Sequence, residues 1–187
     1  MMPAKEIYAL DALPADHNGF YDYLGHPSHV KYIRVDDFSC SVLPDYHFDY
    51  MFSFGCLCHV SFEGITAYAQ NLFGKLKSGA NCFWMVADYA QLNDAGRLVH
   101  RNHERLVDSL LPHSKLWYII RSRIAKYNAK HEKLVLAQDR NDDPKPGRWY
   151  DCGKERAATM LESLGYEVLD QDVGTNLRDP ILHFVRP

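Results

Sequence analysis

The stretch FDYMFSF, Phe48 to Phe54, most narrowly limits what this chain can fold into. Its apolar residues run almost without a break instead of alternating with polar ones. That is the pattern of a strand buried on both faces, and such strands belong to parallel sheets with helices packed on each side. A second run of this kind, Cys82 to Ala87, comes later. Between them, Ile65, Tyr68, Ala69, Leu72, Phe73 and Leu76 recur at helical spacing, so Phe62 to Leu76 is expected to be a helix that stops by Gly79.

The same alternation extends along the chain. Ile7 to Leu10 reads as a strand ending at Asp11, Ala15 to Leu24 as a helix that Pro27 ends, and His29 to Val35 as a second strand. Near the carboxyl end, Lys154 to Leu164 reads as a helix stopped by Gly165, followed by strands at Glu167–Asp172 and Ile181–Val185. Alternating elements of this kind imply an α/β fold, a doubly wound sheet. The last two strands are joined by only the eight residues 173–180 and should pair antiparallel, since a parallel pair needs a longer crossover.

Residues 94–150 interrupt the pattern as a helical insert and loop. Two amphipathic helices are expected there, around Leu98–Leu111 and Leu116–Tyr127 with Pro112 between them, before the polar loop Asp139–Gly147. Residues 94–135 hold nine Lys or Arg against four Asp or Glu, so this part is +5 and the remainder −8. The basic helix surface reads as a solvated face, as a contact for an anionic acceptor, or as a membrane-surface or dimer helix.

At 187 residues the chain is expected to be one domain, 1–187. A net charge of −3 argues against nucleic acid as a partner. The sequence has no apolar run near the ~20 residues of a membrane span and no signal-peptide core at its amino end, so no stable membrane insertion is expected. Five cysteines without a C-x-x-C pair argue against a disulfide framework and for a reducing, cytoplasmic setting. No metal is expected: Cys56, Cys58 and His59 lack the second cluster a zinc site needs, and His100 with Glu104 reads as a solvated helix face.

The stretch Phe48–Asp88, together with the closing GYEVLDQDV and RDPILHFVRP, resembles the class I S-adenosylmethionine-dependent methyltransferases, and is most similar to bacterial sugar O-methyltransferases. The resemblance covers nearly the whole chain and rests on the order of elements. It implies a Rossmann-like, mostly parallel sheet with an antiparallel last strand, in which Ile7–Leu10, His29–Val35, Phe48–Phe54 and Cys82–Ala87 match the family's second to fifth strands. The helical insert then follows the fifth. The family's first strand and its glycine-rich loop have no counterpart before Ile7, so the resemblance is to an N-terminally truncated sheet.

The resemblance also assigns roles. Asp11 would accept hydrogen bonds from the cofactor's ribose, and Asp36, Asp37 and Phe38 would meet its adenine. Ser53 and Gly55 would lie where cofactor and acceptor face each other. His59 stands as a candidate general base, since an imidazole of pKa about 6.5 suits proton removal near neutral pH, or as a structural histidine bonded to backbone. His103, in the apolar stripe of the insert, and Trp149 are candidate contacts for the acceptor. The implied activity is methyl transfer from S-adenosylmethionine to a sugar or other hydroxylated small molecule. The alternative is a truncated, inactive domain that only binds a partner. A nicotinamide-dependent oxidoreductase would need a G-x-G-x-x-G loop that the sequence lacks. Oligomeric state, a homo-oligomer included, stays open.

Overall fold

The computed structural model describes residues 4–88, 90–91, 115–120, 122–123, 126, 150–174 and 179–187. The elements with bounds among them are β1 (Ile7–Asp11), α1 (Phe20–Leu24), β2 (Val30–Arg34), β3 (Phe48–Ser53), α2 (Phe62–Phe73), β4 (Leu76–Met85), α3 (Lys154–Ser163), β5 (Glu167–Asp170) and β6 (Ile181–Val185), and residues 90–91, 115–120, 122–123 and 126 are helical as well. A single 3-10 turn, Leu57–His59, follows β3.

The strands form two ladders. β1 pairs parallel with β2, and a separate four-stranded sheet has the order β3-β4-β6-β5. There β3 and β4 are parallel, while β6 runs antiparallel to both its neighbours. The antiparallel closing pair is as expected from its short connection. The chain is therefore an α/β protein of Rossmann-like architecture, with its sheet interrupted between β1 and β3.

Side chains alternate across the larger sheet, and its two faces differ. Cys82, Trp84, Leu182 and Phe184 point to one face and are fully buried there with Ile65, Ala69 and Leu72 of α2 and Ala157, Ala158 and Leu161 of α3. Aromatic edges link this core. Trp84 lies stacked on Tyr68 at 5.6 Å and edge-on to Phe184 at 5.1 Å, and Tyr166 meets Phe184 at 5.1 Å and Phe73 at 5.0 Å. The buried Tyr166 hydroxyl donates to the Ala69 carbonyl at 2.8 Å, which satisfies it. On the opposite face, Tyr50 and Phe52 stand exposed beside the half-buried Phe83 and His183, whose rings stack at 4.3 Å.

α2 begins where the sequence signals it. Ser61 takes an extended conformation and its side chain accepts the Gly64 N–H at 3.2 Å. Ser61→Ala removes that acceptor, and the expected result is a loss of about 1 kcal/mol in chemical denaturation with an unchanged m-value.

Two expectations need correction. The helix placed over Phe62–Leu76 ends at Phe73, and Leu76 already belongs to β4, which runs to Met85. The early part of β4 is held from both sides: His47 and Phe48 N–H groups donate to the Lys75 carbonyl, and Gly79 N–H donates to the Arg186 carbonyl at 2.7 Å. The helix placed over Ala15–Leu24 is only Phe20–Leu24, because Gly19 sits at φ 64, a left-handed conformation that no helix continues through.

Candidate functional site at the carboxyl ends of the strands

Asp11 is the last residue of β1 and helps shape the loop after it. Its Oδ1 accepts the Leu13 N–H at 2.9 Å and its Oδ2 accepts the Asn18 amide at 3.3 Å. The same Asn18 amide reaches the Tyr32 hydroxyl at 3.2 Å, and that hydroxyl donates to the Leu13 carbonyl at 2.7 Å. Arg34 Nε–H donates to the Ala12 carbonyl at 3.1 Å. The loop is thus wired to β2, and the Asp11 carboxylate is held in place, half-buried, at the strand end. A carboxylate oxygen has two lone pairs, so these bonds leave acceptor capacity on each oxygen.

After β2 comes the acidic corner. Asp36, Asp37 and Phe38 are all exposed. Asp37 Oδ1 accepts both the Ser39 N–H, at 3.0 Å, and the Ser39 hydroxyl, at 2.8 Å. Those two bonds hold the Asp37 carboxyl below its usual pKa, the backbone one contributing most. Phe38 is pinned from below: Asn71 of α2 donates to its carbonyl at 2.9 Å, and its ring meets Tyr68.

Ser53 is the last residue of β3, buried and in register with Trp84. Gly55 follows in an exposed turn at φ 69, and a Cβ built there would meet nothing within 4 Å. The left-handed backbone, not crowding, calls for glycine at this point. The turn continues through Cys56, whose thiol is pushed up by burial and, secondarily, by the Asp11 carboxylate. His59 closes the turn, exposed to solvent, with its backbone N–H donating to the Cys56 carbonyl at 3.0 Å.

Residues 87–91 and 150–154 meet at the same rim. Ala87 and Asp151 form a parallel bridge, and the N–H groups of Cys152 and Gly153 donate to the Ala87 carbonyl. Buried Asp88 accepts the Gln91 N–H at 2.9 Å and the Lys154 N–H at 3.0 Å, which ties the start of α3 to the end of β4. Gln91 in turn donates to Asp172 at 2.9 Å and accepts from Lys154 Nζ at 3.1 Å. Tyr150 N–H donates to the Cys58 carbonyl at 2.9 Å, which sets residue 150 beside the turn that carries His59.

The structure thus places Asp11, Asp37 and the Ser53–Gly55 turn at successive strand ends, with His59 in the turn that follows. Open α/β sheets bind ligands along that edge. His103 and Trp149 lie outside the described residues. Asp88, Asn18 and Cys56 were not anticipated as members of this rim. Asp88 carried a readable signal, an acid directly after an apolar run, whereas Asn18 and Cys56 are placed only by the fold. Among the described residues, no group of three His, Cys, Asp or Glu is arranged to hold a metal ion, and no helix is long and apolar enough to cross a membrane.

No protein-family model matches the sequence, and no curated protein matches it. Solved structures do match the fold. The PH0226 protein from Pyrococcus horikoshii OT3 is 12% identical with a TM-score of 0.56, over 97% of this chain and 72% of that one. Magnesium protoporphyrin IX methyltransferase from Synechocystis PCC 6803, with bound S-adenosylhomocysteine, is 13% identical with a TM-score of 0.53, over 97% and 64%. The 1,6-didemethyltoxoflavin-N1-methyltransferase from Burkholderia thailandensis, with 1,6-didemethyltoxoflavin and S-adenosylhomocysteine bound, is 11% identical with a TM-score of 0.51, over 97% and 61%. The chain spans less than two thirds of the length of these two methyltransferases. The likeness shows a shared α/β fold.

Proposed function

We propose that this chain is an S-adenosylmethionine-dependent O-methyltransferase whose acceptor is a sugar or another hydroxylated small molecule. The observation that carries the reading is the placement of Asp11, Asp37 and Ser53–Gly55 at successive strand ends, in a fold shared with methyltransferases that hold S-adenosylhomocysteine.

The residues present fit the adenosine half of such a cofactor. Asp11 is oriented by Leu13 and Asn18 and keeps lone pairs for the two ribose hydroxyls. Asp37 takes both Ser39 donors on Oδ1, which leaves Oδ2 for the adenine amino group, while Phe38 N–H would meet the ring. Asp36 would add negative charge at the same corner. S-adenosylmethionine, when bound, supplies an electrophilic methyl group. Ser53 and Gly55 would border the place where that group and the acceptor oxygen meet. His59 would take the hydroxyl proton at its ring nitrogen as the oxygen attacks, and His103 and Trp149 would orient the acceptor. Rate enhancement would come mostly from holding two reactants in line. Five free cysteines support a reducing, cytoplasmic location.

One observation favours a second reading, a partner-binding domain without catalysis. The sheet is interrupted between β1 and β3, each of which ladders with one neighbour only.

Calorimetric titration with S-adenosylhomocysteine separates the two. The expected result is a Kd near ~10 µM, about −7 kcal/mol, weakened at least ~10-fold by Asp11→Ala. A chain that melts cooperatively and shows no heat of binding would overturn the enzyme reading and leave the second.

A further inference from the structure

Tyr68 stands on the stripe of α2 that faces the Asp37–Phe38 corner. One turn before it, the Phe38 ring fills the space that a Cβ on Gly64 would need, and one turn after it Asn71 donates to the Phe38 carbonyl at 2.9 Å. Residues 64, 68 and 71 lie on one side of a helix. Between the other two, the Tyr68 ring meets the Phe38 ring edge-on at 6.5 Å. The same ring stacks on Trp84 at 5.6 Å, and Trp84 is in register with Ser53, the last residue of β3. Tyr68 thus bridges the corner after β2 and the end of β3.

α2 carries the chain from the carboxyl end of β3 back to the start of β4, so its amino end lies at the strand ends that form the candidate site. Side chains on a helix lean toward its amino end. That lean carries the Tyr68 hydroxyl toward the rim. No hydrogen bond joins this hydroxyl to a described residue, unlike that of Tyr166, which donates to the Ala69 carbonyl. Among the described residues, Arg186 Nε is the unbonded side-chain nitrogen or oxygen that the fold seals from solvent. The half-buried Tyr68 therefore keeps its hydroxyl open to a ligand. Burial pushes its pKa up, so at neutral pH it is a protonated donor. Phenylalanine would pack on Trp84 and Phe38 equally well, and packing does not account for the hydroxyl.

We propose that Tyr68 recognises the purine of the cofactor, its hydroxyl donating to ring nitrogen N3 or N7. This rests on the methyltransferase reading, in which Asp37 takes the adenine amino group and Phe38 N–H meets the ring. A carboxylate has no proton to give, and one N–H serves one acceptor, so purine nitrogens remain that need a donor.

The test is calorimetric titration of the full chain and of Tyr68→Phe with S-adenosylhomocysteine and its 3-deaza and 7-deaza analogues, in which a C–H replaces N3 or N7. Tyr68→Phe should melt at the wild-type temperature, because nothing in the fold uses the hydroxyl. It should bind S-adenosylhomocysteine roughly 3- to 10-fold more weakly, the loss of one neutral hydrogen bond. The wild-type chain should lose a similar factor on one of the two analogues, and Tyr68→Phe should bind that analogue as tightly as the parent. Three outcomes overturn the proposal and leave cofactor binding standing: unchanged affinity in Tyr68→Phe, an affinity loss that comes with a lower melting temperature, or wild-type affinity that neither analogue weakens. The last is read on the unmodified chain and decides the matter even if Tyr68→Phe does not fold. A wild-type chain that binds none of the ligands overturns the cofactor reading, and this inference with it.

Discussion

Trp84→Ala should be among the most damaging single substitutions in this chain, at about 3–5 kcal/mol. Trp84 is 1% exposed at the middle of the larger sheet. It stacks on Tyr68 of α2, meets Phe184 of β6 edge-on and donates its Nε1–H to Met51 Sδ of β3. Truncation leaves a cavity where two strands and a helix meet, and each of those elements loses contacts at once. A domain of this size holds about 5–15 kcal/mol in total, so the variant should melt roughly 6–20 °C lower. Tyr50→Ala is the comparison. It also removes an aromatic ring from the larger sheet, but from the exposed face, and should cost well under half as much. Thermal denaturation by circular dichroism checks both. Equal losses for the two would mean that the face carrying Tyr50 is buried in solution.

Gly64→Val carries the second large effect and links the core to the proposed cofactor corner. A Cβ on Gly64 would lie 2.7 Å from Val60 Cγ1 and 2.9 Å from Phe38 Cε2, closer than carbon atoms approach. Something must move, and overpacking of this kind costs about 1–3 kcal/mol. The Phe38 ring is the easier neighbour to displace, because it lies partly in solvent on a loop. Moving it strains the Asn71 bond to the Phe38 carbonyl and shifts the Asp37–Ser39 turn beside it. The expected result is a lower melting point together with S-adenosylhomocysteine affinity reduced more than in a core variant of equal stability loss. Gly64→Ala, with the same Cβ and no branch, should show both effects in smaller size. If affinity is unchanged in a folded Gly64→Val protein, the Asp37–Phe38 corner does not hold the cofactor.

How much of this was legible in the residues depends on how local each signal is. The run Phe48–Phe54 announced a strand, and the strand is there as Phe48–Ser53, but the expected burial on both faces fails: Tyr50 and Phe52 are exposed on one face, because no described element covers it. The helix after Ser61 was legible from its period, and the structure added its cap. The antiparallel closing pair followed from a connection too short for a crossover. Acids at the ends of β1 and β2 were legible as strand terminators, and as cofactor contacts only through resemblance.

Other features were decided by tertiary structure. Lys77-Ser78-Gly79 carries little intrinsic strand preference and has no register partner in β3; β4 passes through it beside Arg186, whose backbone bonds Gly79 and Ala80. Arg186 is itself fixed by its neighbours, its guanidinium lying 4.8 Å from both the Tyr46 and Phe73 rings and donating to the Leu76 carbonyl. The Glu6–His47 contact at 3.1 Å joins residues 41 positions apart. The same holds for the Asp88 bonds that seat α3 and for the bond from Tyr150 to the turn bearing His59. By itself the sequence determined where apolar periodicity changes from strand to helix and which residues end each element, because burial pattern and turn chemistry act over a few residues. Only the tertiary structure decided where β4 begins, which segments meet at the rim, and that the sheet is interrupted between β1 and β3, because those outcomes depend on hydrogen-bond partners that are distant in the chain.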